Sequence, residues 1–242
     1  MPATRLSAVV ALLVERQRAG EEAHALCLVA AEVIMVDGAA VSLVSPEGVQ
    51  TVVCCGTTRA RDLMDAELTT GEGPCVDAAR TSRTVVEEDV LTSTTSRWLG
   101  YNALAREIGV RGVFAVPVKV GAVRIGALGL YRDEPGPLRD DQWSDVYLMA
   151  AVIGRAILAA QAGAPSGTLA DALERDGASE VAVHWACGML AVQGAMSVGE
   201  GLVILRSHAF ASGVTLADLA ARVVANETHW DADRLAWADG SW

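Results

Sequence analysis

Three groups of residues in the first half of the chain carry side chains capable of chemistry. Cys54 and Cys55 are adjacent in an apolar stretch, Cys75 follows the turn-forming run Gly71-Glu72-Gly73-Pro74, and Trp98 stands close before Tyr101. A vicinal pair of thiols makes Cys54 and Cys55 candidates for redox sensing. Neighbours in a strand point to opposite faces, however, so a bond between them needs a strained peptide. Two ordinary thiols, one inward and one outward, are the simpler expectation. Cys75 is a candidate lining residue of a small-molecule pocket, with a small buried hydrophobe as an equally consistent role. Trp98 and Tyr101 are candidate walls of that pocket. Catalytic patterns are missing: the sequence has no Gly-x-Ser-x-Gly elbow, no His-Glu-x-x-His and no P-loop. No Cys-x-x-Cys pair or His cluster has zinc spacing, and nothing supports His24 as a haem ligand. The expectation is a non-enzyme without metal or cofactor.

Composition narrows the class further. The 242 residues allow one large domain or two ordinary ones, and 52% hydrophobic content supplies a core. A net charge of −11 excludes broad, non-specific nucleic-acid binding, which depends on excess Lys and Arg. Five cysteines, Cys27, Cys54, Cys55, Cys75 and Cys187, form no regular framework and read as reduced thiols of a cytosolic protein. The first apolar run is followed by Glu15-Arg16-Gln17-Arg18 instead of a small-residue cleavage site, so it reads as an amphipathic helix with Leu6, Val9, Val10 and Leu13 on one face. A cytoplasmic location without a membrane span is expected.

The elements that position these side chains follow from periodicity. A second apolar helix over about 21–36 leads to a hairpin: strand 40–44, the turn Ser45-Pro46-Glu47-Gly48, and strand 49–55. A loop-rich region then reaches a short strand at 84–88. A helix over 99–108 precedes a second hairpin, strands 112–118 and 123–131 about Gly121. The longest helical pattern runs from 140 to 161, capped by Asp140 or Asp141, with Trp143, Val146, Ala150, Ile153 and Ile157 as its buried stripe.

The run AGAPSGT at 162–168 marks a linker, after which a short segment over 169–175 could continue a helix as far as Gly177. Beyond it the pattern is helical only. A helix over 179–193 stops at Gly194; a second starts at Ser197, whose capping box with Glu200 is explicit, and stops near Gly213; a third starts at Thr215, where Asp218 repeats the logic. From Val181 to Gly199 no residue carries a formal charge. A span needs roughly twenty unbroken apolar residues, and Gly194 with the Ser197 cap interrupts this run. The first helix is instead apolar nearly all round. Its Val183, Cys187 and Leu190 face one way and its Trp185, Met189 and Val192 the other, so it wants a partner on both sides.

The run ACGMLAVQGAMSVGEGLVILRSHAFASGVTLADLAARVV (186–224) resembles an ANTAR domain. The matching positions are Ala186, Gly188 and Leu190, then Ser197, Leu205, Arg206 and Ala209, then Leu216, Ala220 and Val223. Upstream, GEGPCVDAARTSRTVVEEDV (71–90), RWLGYNALAREIGVRGVFAVPV (97–118) and IGALGLYRDEPG (125–136) resemble the bacterial GAF domain commonly found ahead of ANTAR, over roughly residues 20–160. The resemblance implies an α+β, GAF-like antiparallel sheet flanked by helices over 1–161, a linker over 162–178, and an all-α three-helix unit with a Trp-rich acidic tail over 179–242. It further implies a regulator whose GAF-like unit senses a small molecule or redox state. Its ANTAR-like unit would bind paired RNA hairpin loops in nascent transcripts, as a homodimer, and prevent a terminator from forming.

Residue by residue, the RNA-binding candidates are Arg206, Arg222, Ala186, Gly188, Ser212 and Thr215. Arg206 and Arg222 are candidate phosphate contacts. Ala186 and Gly188 read most simply as close-packing positions, where a small side chain lets helices approach, and Ser212 to Thr215 lie where the family often carries a basic residue. Between Ser179 and Trp242 there are three arginines against seven acids, a net charge of −4. The alternative is therefore a unit that has lost RNA contacts and serves dimerisation or protein binding. Trp230, Trp237 and Trp242 are expected to pack back on the domain or on a partner.

Overall fold

The computed structural model describes residues 2–19, 24–44, 50–93, 97–121, 123–163, 178–231 and 235–239. The chain divides into two compact units, residues 1–67 with 72–166, and residues 68–71 with 167–242. The expected turn at 45–48 and the segment 169–175 lie outside the described residues.

In the first unit, α1 (Pro2–Arg18) and α2 (Ala25–Ile34) precede β1 (Gly38–Val44) and β2 (Gln50–Cys55). Next come α3 (Thr58–Thr70), α4 (Pro74–Thr81), β3 (Val85–Glu87) and α5 (Leu99–Ile108), then β4 (Gly112–Val120), β5 (Val123–Arg132) and α6 (Asp140–Gly163). The five strands form one sheet in the order β2-β1-β5-β4-β3, every neighbour antiparallel. This is the α+β arrangement expected. The loop-rich reading of the segment after β2 is corrected, because that segment folds into α3 and α4. Asp140 and Asp141 occupy the first turn of α6 instead of its cap, and Gln142 accepts from the Arg139 amide.

Strand alternation decides which side chains meet the core. Phe114, Val116 and Val118 of β4 and Leu128 and Leu130 of β5 join Cys27, Val29 and Ile34 of α2 and Val146, Met149 and Ile153 of α6 in one buried cluster. Each large side chain among them contributes about 1.5–3 kcal/mol on burial. The other face is covered too: α4 packs on β4 and β5. That double cover changes the expected fate of the vicinal cysteines. Cys54 and Cys55 do point to opposite faces, yet both are buried. Cys54 enters the cluster and forms a disulfide with Cys27 of α2, while Cys55 is a buried thiol outside any disulfide. The expectation of uniformly reduced thiols is corrected at this pair.

The second unit holds α7 (Ala178–Gln193), α8 (Val198–Ser212), α9 (Leu216–Val224) and the hairpin β6 (Thr228–Asp231) with β7 (Ala236–Asp239). Local chemistry places its helix ends as expected. The Ser197 and Glu200 side chains form a complete capping box, Gly213 closes α8 in the left-handed conformation, and Thr215 Oγ1 accepts from the Asp218 amide. Leu190, Leu205, Ala209, Leu219 and Val223 are its buried core. Gly201 is the close-approach position: a Cβ there would lie 2.9 Å from the Cys187 carbonyl oxygen. Gly188 is not one, since a Cβ there would meet nothing within 4 Å. Trp185, expected in a buried interface, is 62% exposed. Trp230 and Trp237 pack back on the unit; Trp237 stacks on His208 at 4.5 Å.

Among the described residues no single helix is long and apolar enough to cross a membrane. The apolar pair Val181–Gln193 and Val198–Ser212 is bent by 109° at its break, where the sequence places Gly194 and the Ser197 cap.

Candidate functional site

A narrow cleft opens between the sheet and α3, α4 and α5; its empty volume of about 290 Å³ counts the open solvent at its mouth. One side of α3 builds its wall. Ala60, Leu63, Met64 and Glu67 recur at helical spacing and all line the space. Cys75 and Pro74 come from α4, Tyr101 from α5, Phe114 from β4, and Gly129 and Tyr131 from β5.

Among the described residues Glu67 is the one acidic or basic residue lining the cavity, and a missing helix cap explains its place. Gly73 precedes α4 without a side chain to offer, and Pro74 has no amide hydrogen to satisfy. The next two amides turn to α3: Cys75 N donates to Glu67 Oε1 at 3.0 Å and Val76 N to Glu67 Oε2 at 3.1 Å. Gln50 Nε2 lies 3.5 Å from Oε2, and the Cys75 thiol also bonds to the carboxylate. Two glycines make room. A Cβ at Gly73 would sit 2.5 Å from Glu67 Cγ, and one at Gly129 would sit 2.5 Å from Cys75 Sγ.

These hydrogen bonds do not offset the loss of water. Burial raises the Glu67 carboxyl to about 7, against the opposing pull of the Cys75 and Val76 amides. Burial, followed by the neighbouring Glu67 charge, pushes the Cys75 thiol and the Tyr101 phenol well above their ordinary values. Both stay neutral at physiological pH. A buried carboxylate that titrates near neutrality, in a cleft with apolar walls, is the pattern of a ligand site.

Of the three pocket candidates, Cys75 and Tyr101 line the cavity and Trp98 does not. The Trp98 ring meets Tyr101 edge-on at 6.2 Å, and its Nε1 donates to Asp77 Oδ2 at 2.9 Å. Asp77 is buried and also pairs with Arg80 and Arg97. Trp98 thus supports Tyr101 from behind. Of the redox candidates, Cys54 is in the Cys27 disulfide, and Cys55 is close enough to Cys75 to influence its thiol. Sequence reasoning missed Glu67, Phe114 and Tyr131. Glu67 shares the helical spacing of Ala60, Leu63 and Met64, but the polar opening of α3 hides that stripe in the sequence.

In the second unit, Ala186 is buried and Gly188 half-buried on α7, Arg206 is half-buried on α8, Arg222 lies in the last turn of α9, and Ser212 ends α8 exposed. Thr215 is engaged as the α9 cap. Burial pushes the Cys187 thiol up to about 11, and the Arg206 guanidinium pulls against that rise, so Arg206 neighbours the Ala186–Gly188 segment. Among the described residues no cluster of His, Cys, Asp and Glu suits a metal ion.

The GAF domain family model matches residues 20–157, more than half of the chain. Similar solved structures include the GAF domain of an Acinetobacter phosphoenolpyruvate-protein phosphotransferase, 14% identical over 66% of this chain and 94% of that one, with a TM-score of 0.48. The photoproduct state of a GAF domain from Synechocystis is 18% identical over 58% of this chain and 96% of that one, with a TM-score of 0.45. No curated protein sequence matches at a significant level.

Proposed function

The chain belongs to the GAF-domain family, and from that premise we propose that it is a cytoplasmic, signal-responsive regulator of transcription antitermination. Its first unit binds a small molecule in the cavity walled by Glu67, Cys75 and Tyr101. Its second unit is an ANTAR-like module that binds paired RNA hairpin loops in nascent transcripts and keeps a terminator from forming. The regulator acts by binding, without a catalytic step of its own.

The observation that carries the RNA reading is the order of three capped helices in the second unit, with Arg206 of α8 beside the Ala186–Gly188 segment of α7. Arg206 is half-buried and its Nε donates to the Leu68 carbonyl oxygen at 2.9 Å, so an RNA phosphate would have to reach its remaining N–H groups. A cation suits phosphate, and splayed bases are bound by hydrogen bonds and stacking. The exposed Trp185 and Val192 of α7 supply an apolar face for a homodimer, which would present two such modules to two loops.

A second reading rests on charge. With a net of −4 between Ser179 and Trp242, and with Val203 and Phe210 exposed on α8, the helical unit would serve dimerisation or bind another protein. Titration of the full chain against an RNA with two adjacent hairpin loops separates the two, using loop-scrambled and single-loop controls at several salt concentrations. The RNA reading expects binding to the double loop alone, weakened roughly tenfold by Arg206→Ala, the cost of one charge-assisted contact. Equal weak binding to all three RNAs rejects it in favour of a protein partner.

A further inference from the structure

Residues 68–71, the end of α3 and the glycine that follows it, belong to the second unit with residues 167–242. There they serve two helix ends. The last carbonyls of a helix have no intrahelical donor, and its first amides have no intrahelical acceptor. Leu68 is in the last turn of α3, and its carbonyl oxygen accepts from Arg206 Nε of α8 at 2.9 Å. Leu216 is the first residue of α9, and its buried amide donates to Thr69 Oγ1 at 3.2 Å. Thr215, the α9 N-cap, has its hydroxyl on the Asp218 amide. The end of α3 thus receives a cap from α8 and gives one to α9. Gly71 completes the contact. Its φ is +70°, and a Cβ there would lie 2.8 Å from Arg206 Nη1, so the guanidinium occupies the place a side chain would take.

Arg206 is held by less than its charge can bind. Burial lowers its guanidinium below the ordinary value, and no ion pair among the described residues includes it. The acceptor at its Nε is a neutral carbonyl at the negative end of a helix. A phosphate, with full charge and several acceptor oxygens, is the stronger partner. It cannot take Nε while Leu68 does.

We propose that the last turn of α3 is an autoinhibitory latch: while Leu68 and Thr69 hold Arg206 and the first amide of α9, Arg206 is withheld from RNA phosphate, and release of this turn presents it. The proposal rests on the reading of the second unit as an RNA-binding module and names the regulation of that site. Glu67, one residue before Leu68, caps α4 of the first unit through the Cys75 and Val76 amides. A change that draws Glu67 off those amides therefore acts on the same turn of helix.

The test uses the full chain and the RNA with two adjacent hairpin loops. Thr69→Val keeps the volume of a buried side chain and removes the acceptor of the Leu216 amide. It is expected to tighten double-loop binding by about threefold to tenfold, the effect of one lost buried hydrogen bond on the latched form. Hydrogen exchange of the wild-type chain reads the latch without any variant. The Leu216 amide is expected to be protected in the free chain and to exchange at least about tenfold faster at RNA saturation. Equal RNA affinity of the two proteins, or Leu216 protection unchanged at saturation, overturns the latch and leaves the RNA reading in place. Failure of both proteins to bind the double loop overturns the RNA reading and the latch with it. If Thr69→Val fails to fold, the wild-type exchange decides.

Discussion

Replacing Glu67 by glutamine removes a charge that the fold holds at a cost, so it is expected to change how stability depends on pH. The carboxyl is raised by burial from an ordinary 4.5 to about 7. A group whose folded-state pKa exceeds its unfolded value leaves the native state holding the extra proton, so stability is fully present below the lower value and is lost as pH rises through the upper one. Each pKa unit corresponds to about 1.4 kcal/mol, so the wild-type chain is expected to lose about 3 kcal/mol between pH 4.5 and pH 7.5 through this residue alone. For a unit of this size that corresponds to roughly 6–12 °C in Tm. The assay is thermal or urea unfolding of the wild-type chain and Glu67→Gln at half-unit pH steps. Other carboxylates and histidines titrate in both proteins and cancel in the difference. At low pH the variant is expected to be slightly less stable, because its amide NH2 cannot accept from Val76 N. Above pH 7 it is expected to be the more stable of the two. Parallel pH profiles would refute the assignment of a buried, proton-holding Glu67.

Further outcomes follow from other contacts. Asp77→Ala leaves the buried Trp98 Nε1 without its acceptor and is expected to cost about 1–3 kcal/mol in urea unfolding. Gly201→Ala brings a Cβ to 2.9 Å of the Cys187 carbonyl and is expected to destabilise the second unit by about 1–3 kcal/mol. Gly188→Ala meets open space inside a helix and is expected to stabilise it by about 0.5–1 kcal/mol while weakening RNA binding; circular dichroism melts and the loop titration read the two effects apart. The Cys27–Cys54 disulfide predicts an intact mass two hydrogens below the fully reduced chain, and a loss of about 2–4 kcal/mol on reduction. A melting curve indifferent to dithiothreitol would count against it.

The parts legible in the sequence were those written in local chemistry. Ser197 with Glu200, Gly213 and Thr215 mark helix ends through side-chain and backbone hydrogen bonds made within a few residues, and the structure has them where the residues place them. The hairpin strands around Gly121 and the buried stripe of α6 were likewise visible from period alone. What failed required contacts distant along the chain. α3 opens with Thr58-Arg59-Ala60-Arg61-Asp62, too polar to show its apolar stripe against the glycines that follow, and the cap of α4 is supplied by α3. Cys27 and Cys54 are separated by 27 residues, and only the packing of α2 on the sheet brings their sulfurs together. The outward-facing thiol expected at Cys55 assumed a solvated face, whereas α3 and α4 supply elements on that side. The β6–β7 hairpin is short and acidic, and Trp230 and Trp237 reveal it only once they face each other across the two strands.

The most direct test of the central claim, that the GAF unit binds a small molecule in the cavity beside Glu67, is methyl NMR of the full chain labelled at methionine. The chain has six methionines, and Met64 lines the cavity. Titration with a panel of small amines, acids and alcohols is expected to move the Met64 resonance saturably with at least one compound, while Met35 on the α2 C-cap stays still. A Met64 signal that no compound shifts at about 1 mM, a concentration that detects even weak sites, would contradict the account.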